Sequence, residues 1–247
     1  RFARDGTPKG AEFQANTFTA SDQDRPKVAV NKAGKFGVVW QSADQNGALG
    51  IFGQRFDASG ARVGAEFQAN TDTAGEQYGP GVAINAQGGF VVIWTSTFGD
   101  GSANYGIRGQ RFDPFGGRLG AEFSANTFTT GPQVQSNVAA TLDGRFVVVW
   151  ESQAGDGSSY GVFGQRFAAS GAKLGAEFQA NTYTTDNQED ATVGTTPDGG
   201  FVVGWESYQG DLEIRSQRYD AAGNRVGAEF AVNSYTTRDQ FGPAIAG

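Results

Sequence analysis

The chain has 247 residues, is 38% apolar and 18% charged, and carries 38 Gly, 20 Phe and a net charge of −7. It contains no His, Cys or Met, which excludes a Ser-His-Asp triad, a Cys nucleophile, a His or thiolate zinc site, a disulfide framework and an imidazole pH switch. The acidic balance argues against nucleic acid and anionic membrane as partners, and no stretch approaches the roughly 20 apolar residues that span a bilayer.

Internal repetition organises everything else. The chain opens on Arg1-Phe2, the tail of one apolar run, and continues with Gly10-Ala11-Glu12-Phe13, the head of another. Residues 1–24 are thus a partial unit. The next unit, residues 25–79, is complete. It holds run a (Pro26 to Val30), run b (Phe36 to Trp40), run c ending Gln54-Arg55-Phe56, and run d (Gly64 to Thr71). The same four runs return in residues 80–135, 136–189 and 190–241. Run b there ends in Trp94, Trp150 and Trp205. Residues 242–247 are a second partial unit carrying run a alone, Pro243 to Ala246. The string GAEF begins at Gly10, Gly64, Gly120, Gly175 and Gly227, spaced 54, 56, 55 and 52 residues apart.

The runs are β-branched and aromatic, and no window carries a helical apolar period with caps. Asp143-Gly144 and Asp198-Gly199 between runs a and b read as tight hairpins. Four antiparallel strands per unit predict an all-β protein, a single repeat domain over residues 1–247, built as a β-propeller of four-stranded blades. A sandwich array or a β-solenoid are the alternatives. About 4.5 units fit either a five-bladed ring with a split blade or a four-bladed ring with surplus edge strands. Such edges invite pairing with other copies of the chain. The chain has neither an initiator Met nor a signal peptide, as expected of a processed chain or a fragment.

Phe146 to Thr182 resembles a tandem unit, GFVVVWES…GQRF…GAEFQANT, of very large secreted, calcium-associated bacterial surface proteins that carry nonapeptide repeats. The resemblance implies secretion or a cell-surface location, a modular array, and a structural or adhesive role. The nonapeptide calcium repeat is itself absent here.

Four groups of residues are candidates for function. Asp44, Asp100, Asp156 and Asp211 lie in Gly-rich loops between runs b and c, where Asp, Asn, Ser and carbonyl oxygens suit Ca²⁺. A solvated turn uses the same residues. Trp40, Trp94, Trp150 and Trp205, with Glu151 and Glu206 beside the last two, suit stacking on a sugar and hydrogen bonding to its hydroxyls; the competing reading is blade core. The Arg of run c and the Glu of run d stay 11 apart. Arg1/Glu12, Arg55/Glu66, Arg111/Glu122, Arg166/Glu177 and Arg218/Glu229 therefore read as repeated structural ion pairs. For catalysis only carboxylates remain, so a two-carboxylate glycosidase is the one enzyme class still open. Glu151 and Glu206 recur with the repeat, which argues against it. The expectation is a non-enzymatic structural or adhesive propeller with Ca²⁺ as its one candidate cofactor. The alternative is a lectin-like propeller that binds cell-surface glycans.

Overall fold

The computed structural model describes every residue except 4, 44–47, 99–104, 236 and 247. Sixteen strands form four separate antiparallel sheets of four strands each, and no helix occurs among the described residues. The first sheet is β1 (Gln23–Val30), β2 (Phe36–Ala43), β3 (Leu49–Phe56) and β4 (Arg62–Gln68), hydrogen-bonded in that order. The second is β5 (Gln77–Ile84), β6 (Phe90–Thr97), β7 (Tyr105–Phe112) and the short β8 (Phe123–Ser124). The third is β9 (Gln133–Ala140), β10 (Phe146–Gln153), β11 (Tyr160–Phe167) and β12 (Lys173–Gln179). The fourth is β13 (Gln188–Thr195), β14 (Phe201–Tyr208), β15 (Leu212–Tyr219) and β16 (Arg225–Ala231). Runs a, b, c and d are therefore the four strands of one blade, and the protein is a β-propeller.

The turns are longer than the Asp-Gly pairs suggest. Between β9 and β10, the Thr141 N–H donates to the Arg145 carbonyl and the Gly144 N–H to the Thr141 carbonyl. This five-residue closure places Gly144 at φ +90°, a region Gly enters without steric cost. The second strands β6 and β10 are covered on both faces, as their continuous apolar runs require. Val147 and Val149 of β10 face Val193, Phe201 and Trp205 of the fourth blade, whereas Val148 and Trp150 face Ile93 and Ile107 of the second.

Aromatic rings repeat at every boundary. Phe67 of β4 tilts against Phe90 and Phe112, which stack on each other at 4.7 Å between centroids. The N-terminal run copies this arrangement: Phe13 sits on Phe36 and Phe56 of the first blade. At the other end, Ile245 lies against Gly194 and Gly204 of the fourth blade. The inner strands β1, β5, β9 and β13, together with Gly242 to Ala246, line a central channel with a cavity at either mouth. Five sectors thus surround the channel; among the described residues, the C-terminal run supplies an inner segment of the fifth and the N-terminal run an outer one.

Candidate functional site

Each inner strand begins with a β-bulge. The register slips between Asp24 and Lys27, Tyr78 and Gly81, and Glu189 and Thr192, and again on β9 opposite Val149 to Glu151. The bulged residues Arg25, Gly79, Gln135 and Asp190 all take φ between +51° and +62°, and Gly242 of the fifth sector takes +67°. Their side chains or backbones surround one mouth of the channel, a cavity of about 410 Å³ also lined by Lys27, Tyr78, Asn137 and Thr192.

The second strand of the preceding blade holds three of these positions in place. Gln41 Oε1 accepts the Gly79 N–H at 2.9 Å, Glu151 Oε1 the Asp190 N–H at 2.7 Å, and Glu206 Oε1 the Gly242 N–H at 2.6 Å. Thr95 stands at the corresponding place in β6, and its buried hydroxyl has no partner. The position therefore reads Gln, Thr, Glu, Glu around the ring, and the bulge position reads Arg, Gly, Gln, Asp, Gly.

Carboxylates consequently gather on one side. Glu189 lies directly opposite Glu206 across the β13–β14 pair, an unfavourable like-charge placement. Asp190 is exposed on the cavity wall, while Glu151 and Glu206 are buried behind it. Gln135 Nε2 donates to Glu151 Oε2 at 3.1 Å. Burial pushes the Glu151 carboxyl up to about 8, with the charges of Glu189 and Asp190 adding to it and the Asp190 N–H opposing it. Burial also raises Glu206 and Glu189, and Asp190 raises both further. One tyrosine, Tyr78, lines the same mouth. Tyr78 meets Tyr105 edge to face at 5.9 Å, and burial pushes its hydroxyl up to about 12. Half-buried Tyr160 titrates above its ordinary value through burial and the nearby Glu151.

This asymmetry corrects the expectation that Glu151 and Glu206 merely follow the repeat. A single unit does not show it, because only ring closure brings residues 151, 190 and 206 together. The signal was in the sequence nonetheless, since aligned repeats differ at the bulge and at the residue after Trp.

The tryptophans do not form sugar platforms. Trp94, Trp150 and Trp205 are 0% exposed and Trp40 nearly so. Their indole N–H groups donate to Gln23, Gln77, Gln133 and Gln188, the first residue of each inner strand, at 2.8–3.3 Å. Stacking on a ligand is thus excluded by packing between blades. These glutamines, each 17 residues before its Trp, escaped the reading of the sequence.

The repeated Arg and Glu are not ion-paired with each other. The c–d hairpin brings Arg55 opposite Val63, and a bulge carrying Gly64 at φ +73° displaces Glu66. The two side chains then reach in opposite directions. Arg55 donates forward to the Pro114 carbonyl of the next blade at 3.0 Å, and Arg111 and Arg166 likewise reach Ala169 and Ala221. Glu66 accepts backward from the Thr17 N–H and hydroxyl, as Glu122 does from Thr71, Glu177 from Thr127 and Glu229 from Thr182. Arg218 is exposed. Among the described residues the ion pairs are Arg145–Asp143 and Arg215–Glu213.

Of the calcium candidates, Asp44 and Asp100 lie outside the described residues. Asp156 accepts from the Ser158 N–H and from Asn181 Nδ2, each at 3.1 Å, and Asp211 is exposed on its loop. No cluster of three or more acidic side chains able to hold a metal occurs among the described residues.

No family model and no curated protein matches the sequence. Solved structures do match in fold. A thermostable family-43 glycoside hydrolase superposes with a TM-score of 0.55 at 15% identity, covering 90% of this chain and 78% of its own. The endo-arabinase of Bacteroides thetaiotaomicron gives 0.50 at 14%, covering 91% and 85%. The catalytic domain of the Coprinopsis cinerea family-62 α-L-arabinofuranosidase gives 0.50 at 13%, covering 86% and 70%. At such identities the likeness is one of fold. It overturns the non-enzymatic expectation: the propeller architecture on which that expectation rested is shared with glycoside hydrolases, so repetition is no ground for excluding an enzyme.

Proposed function

We propose that this propeller is a carbohydrate-active protein acting on a glycosidic bond at the channel mouth, where Asp190 lines the cavity and Glu151 and Glu206 are buried behind it. The observation that carries the proposal is the break in the repeat. Carboxylates stand at the bulge and its clasp only where the third and fourth blades meet. Glycoside hydrolysis uses two carboxyl groups, one protonated to release the leaving oxygen and one ionised. Asp190, exposed on the cavity, is the carboxylate that meets the sugar. Glu151, pushed up to about 8, keeps its proton at neutral pH and serves as the acid beside it. Tyr78 offers a ring face, and Arg25 and Asn137 offer donors, to sugar hydroxyls. A secreted or cell-surface setting belongs to the same proposal and is supported by the resemblance of the repeat.

The matched propellers include an endo-arabinase and an α-L-arabinofuranosidase, so arabinan and an aryl α-L-arabinofuranoside are the first substrates to try. Hydrolysis should occur, and Asp190→Asn or Glu151→Gln should each lower kcat by about 100-fold or more. Absence of hydrolysis on these and on a panel of aryl glycosides would overturn the proposal.

One observation favours a second reading. Gln41, which has no charge, makes the same hydrogen bond to the next blade that Glu151 makes. On that reading the carboxylates are clasps only, and Glu151→Gln preserves whatever the protein does.

A further inference from the structure

The cavity wall that holds Asp190 is sided in charge. Its charged residues are Arg25 and Lys27 on β1 and Asp190 on β13, a net positive lining in a chain of net charge −7. Among the described residues the ion pairs are Arg145–Asp143 and Arg215–Glu213, so neither cation is neutralised by a neighbouring carboxylate. The second and third blades lie between the cationic and the anionic side. The second contributes Tyr78, whose hydroxyl feels the Arg25 charge. The joint between these two blades is also the one without a long clasp. Gln41, Glu151 and Glu206 each reach the next bulge, whereas Thr95 is shorter. The Thr95 hydroxyl, like that of Ser136 on β9, is buried at the cavity wall and has no partner. Buried hydroxyls ordinarily find partners, and the oxygens of a ligand supply them.

We propose that the sugar taken by this mouth carries a carboxylate, seated on Arg25 and Lys27 with the sugar ring against Tyr78. This deepens the glycosidase reading and rests on it for the mouth being a sugar site. Guanidinium and ammonium groups make charge-assisted hydrogen bonds to a carboxylate, about twice as strong as bonds between neutral groups. A neutral sugar would leave both cations with water alone. The same charges set the direction of entry. The acid group is drawn to β1 and repelled by Asp190, which fixes one orientation of the ring before any bond is broken.

The seat can be tested without turnover. D-Glucuronate, D-galacturonate and N-acetylneuraminate are titrated by calorimetry, each beside its uncharged primary amide. At least one acid should bind about tenfold more tightly than its amide, and the acid bound best identifies the source of the carboxylate. The preference should shrink as ionic strength rises. The double variant Arg25→Gln, Lys27→Asn copies what the third blade already carries at these places, Gln135 at φ +52° and Asn137. It should therefore fold with the parent's Tm and bind acid and amide alike. Equal affinity for acid and amide in the parent overturns the proposal. So does the absence of binding by any acid, or an acid preference that survives the double substitution. The glycosidase reading fails separately. Acid binding without hydrolysis of the matching aryl glycosides leaves the seat standing, whereas hydrolysis of neutral glycosides by a protein that ignores the acids overturns the seat alone.

Discussion

The Oε1 atom of Glu151 accepts the backbone N–H of Asp190 at 2.7 Å, across the boundary between the third and fourth blades. One residue thereby clasps a neighbouring blade, holds a bulge residue at φ +51°, and places a carboxyl, its titration pushed up by burial, behind the Asp190 side chain on the cavity wall. Geometry and titration are coupled at this point, and they can be separated by substitution.

The first separation uses pH. In the unfolded chain Glu151 titrates near 4.5, and in the folded chain near 8. Between those values the folded state binds one more proton, so stability falls as pH rises through the window, by up to about 1.4 kcal/mol per unit. Glu206 and Glu189 are raised too and act in the same direction. Glu151→Gln keeps an acceptor for the Asp190 N–H and removes one titrating group. Its Tm should fall less steeply from pH 5 to pH 8.5 than that of the parent. Parallel curves would show that Glu151 carries no excess proton in the folded state.

The buried Trp–Gln pair of each blade should be costly to break. Trp150 Nε1 donates to Gln133 Oε1 at 3.0 Å, with both side chains sealed from water. Gln133→Leu leaves the indole N–H without a partner, a loss of about 1–3 kcal/mol. Trp150→Ala, which empties a large core site, should cost about 3–5 kcal/mol. Chemical denaturation of the two variants and the double variant should show strong non-additivity. Additive losses would mean the hydrogen bond contributes nothing.

Arg166 and Glu177 offer the opposite expectation. They belong to one hairpin but bind different neighbours, the Ala221 carbonyl and Thr127. Glu177→Gln and Arg166→Gln should each destabilise by about 1 kcal/mol, and the double variant should lose the sum. A coupling energy above about 0.5 kcal/mol would restore the direct ion pair.

The C-terminal run should prove structural. Ile245 rests on Gly194 and Gly204 of the fourth blade, an apolar contact that a carboxylate would lose. Ile245→Asp should lower Tm measurably, and Gly194→Val, whose side chain would occupy the same space, should have a similar effect. An unchanged melting curve in both variants would show that the run is dispensable.

Much of this architecture was legible in the repeat. The runs ending in Trp40, Trp94, Trp150 and Trp205 are second strands, and the GAEF runs supply outer strands. Side-chain direction was not legible, because it depends on bulges. A shift at Gly64 sends Glu66 away from Arg55, although a constant spacing of 11 suggests contact. The candidate site was hidden for a related reason. Residues 151, 190 and 206 belong to two units and become neighbours only through the bulge at Asp190. Composition narrowed the chemistry to carboxylates, but comparison within strands could not reveal a position that matters between them.

The forward reach of Arg and the backward reach of Glu have a geometric corollary. Every blade has a leading and a trailing face, so each joint is heterologous, and head-to-tail joints close into a ring only when their rotation divides the circle. The number of sectors is therefore set by the wedge angle at each joint, to which the small residues Ala69, Ala125 and Ala180 contribute by letting the sheets approach. Enlarging them should open the wedge and strain the closure of the ring.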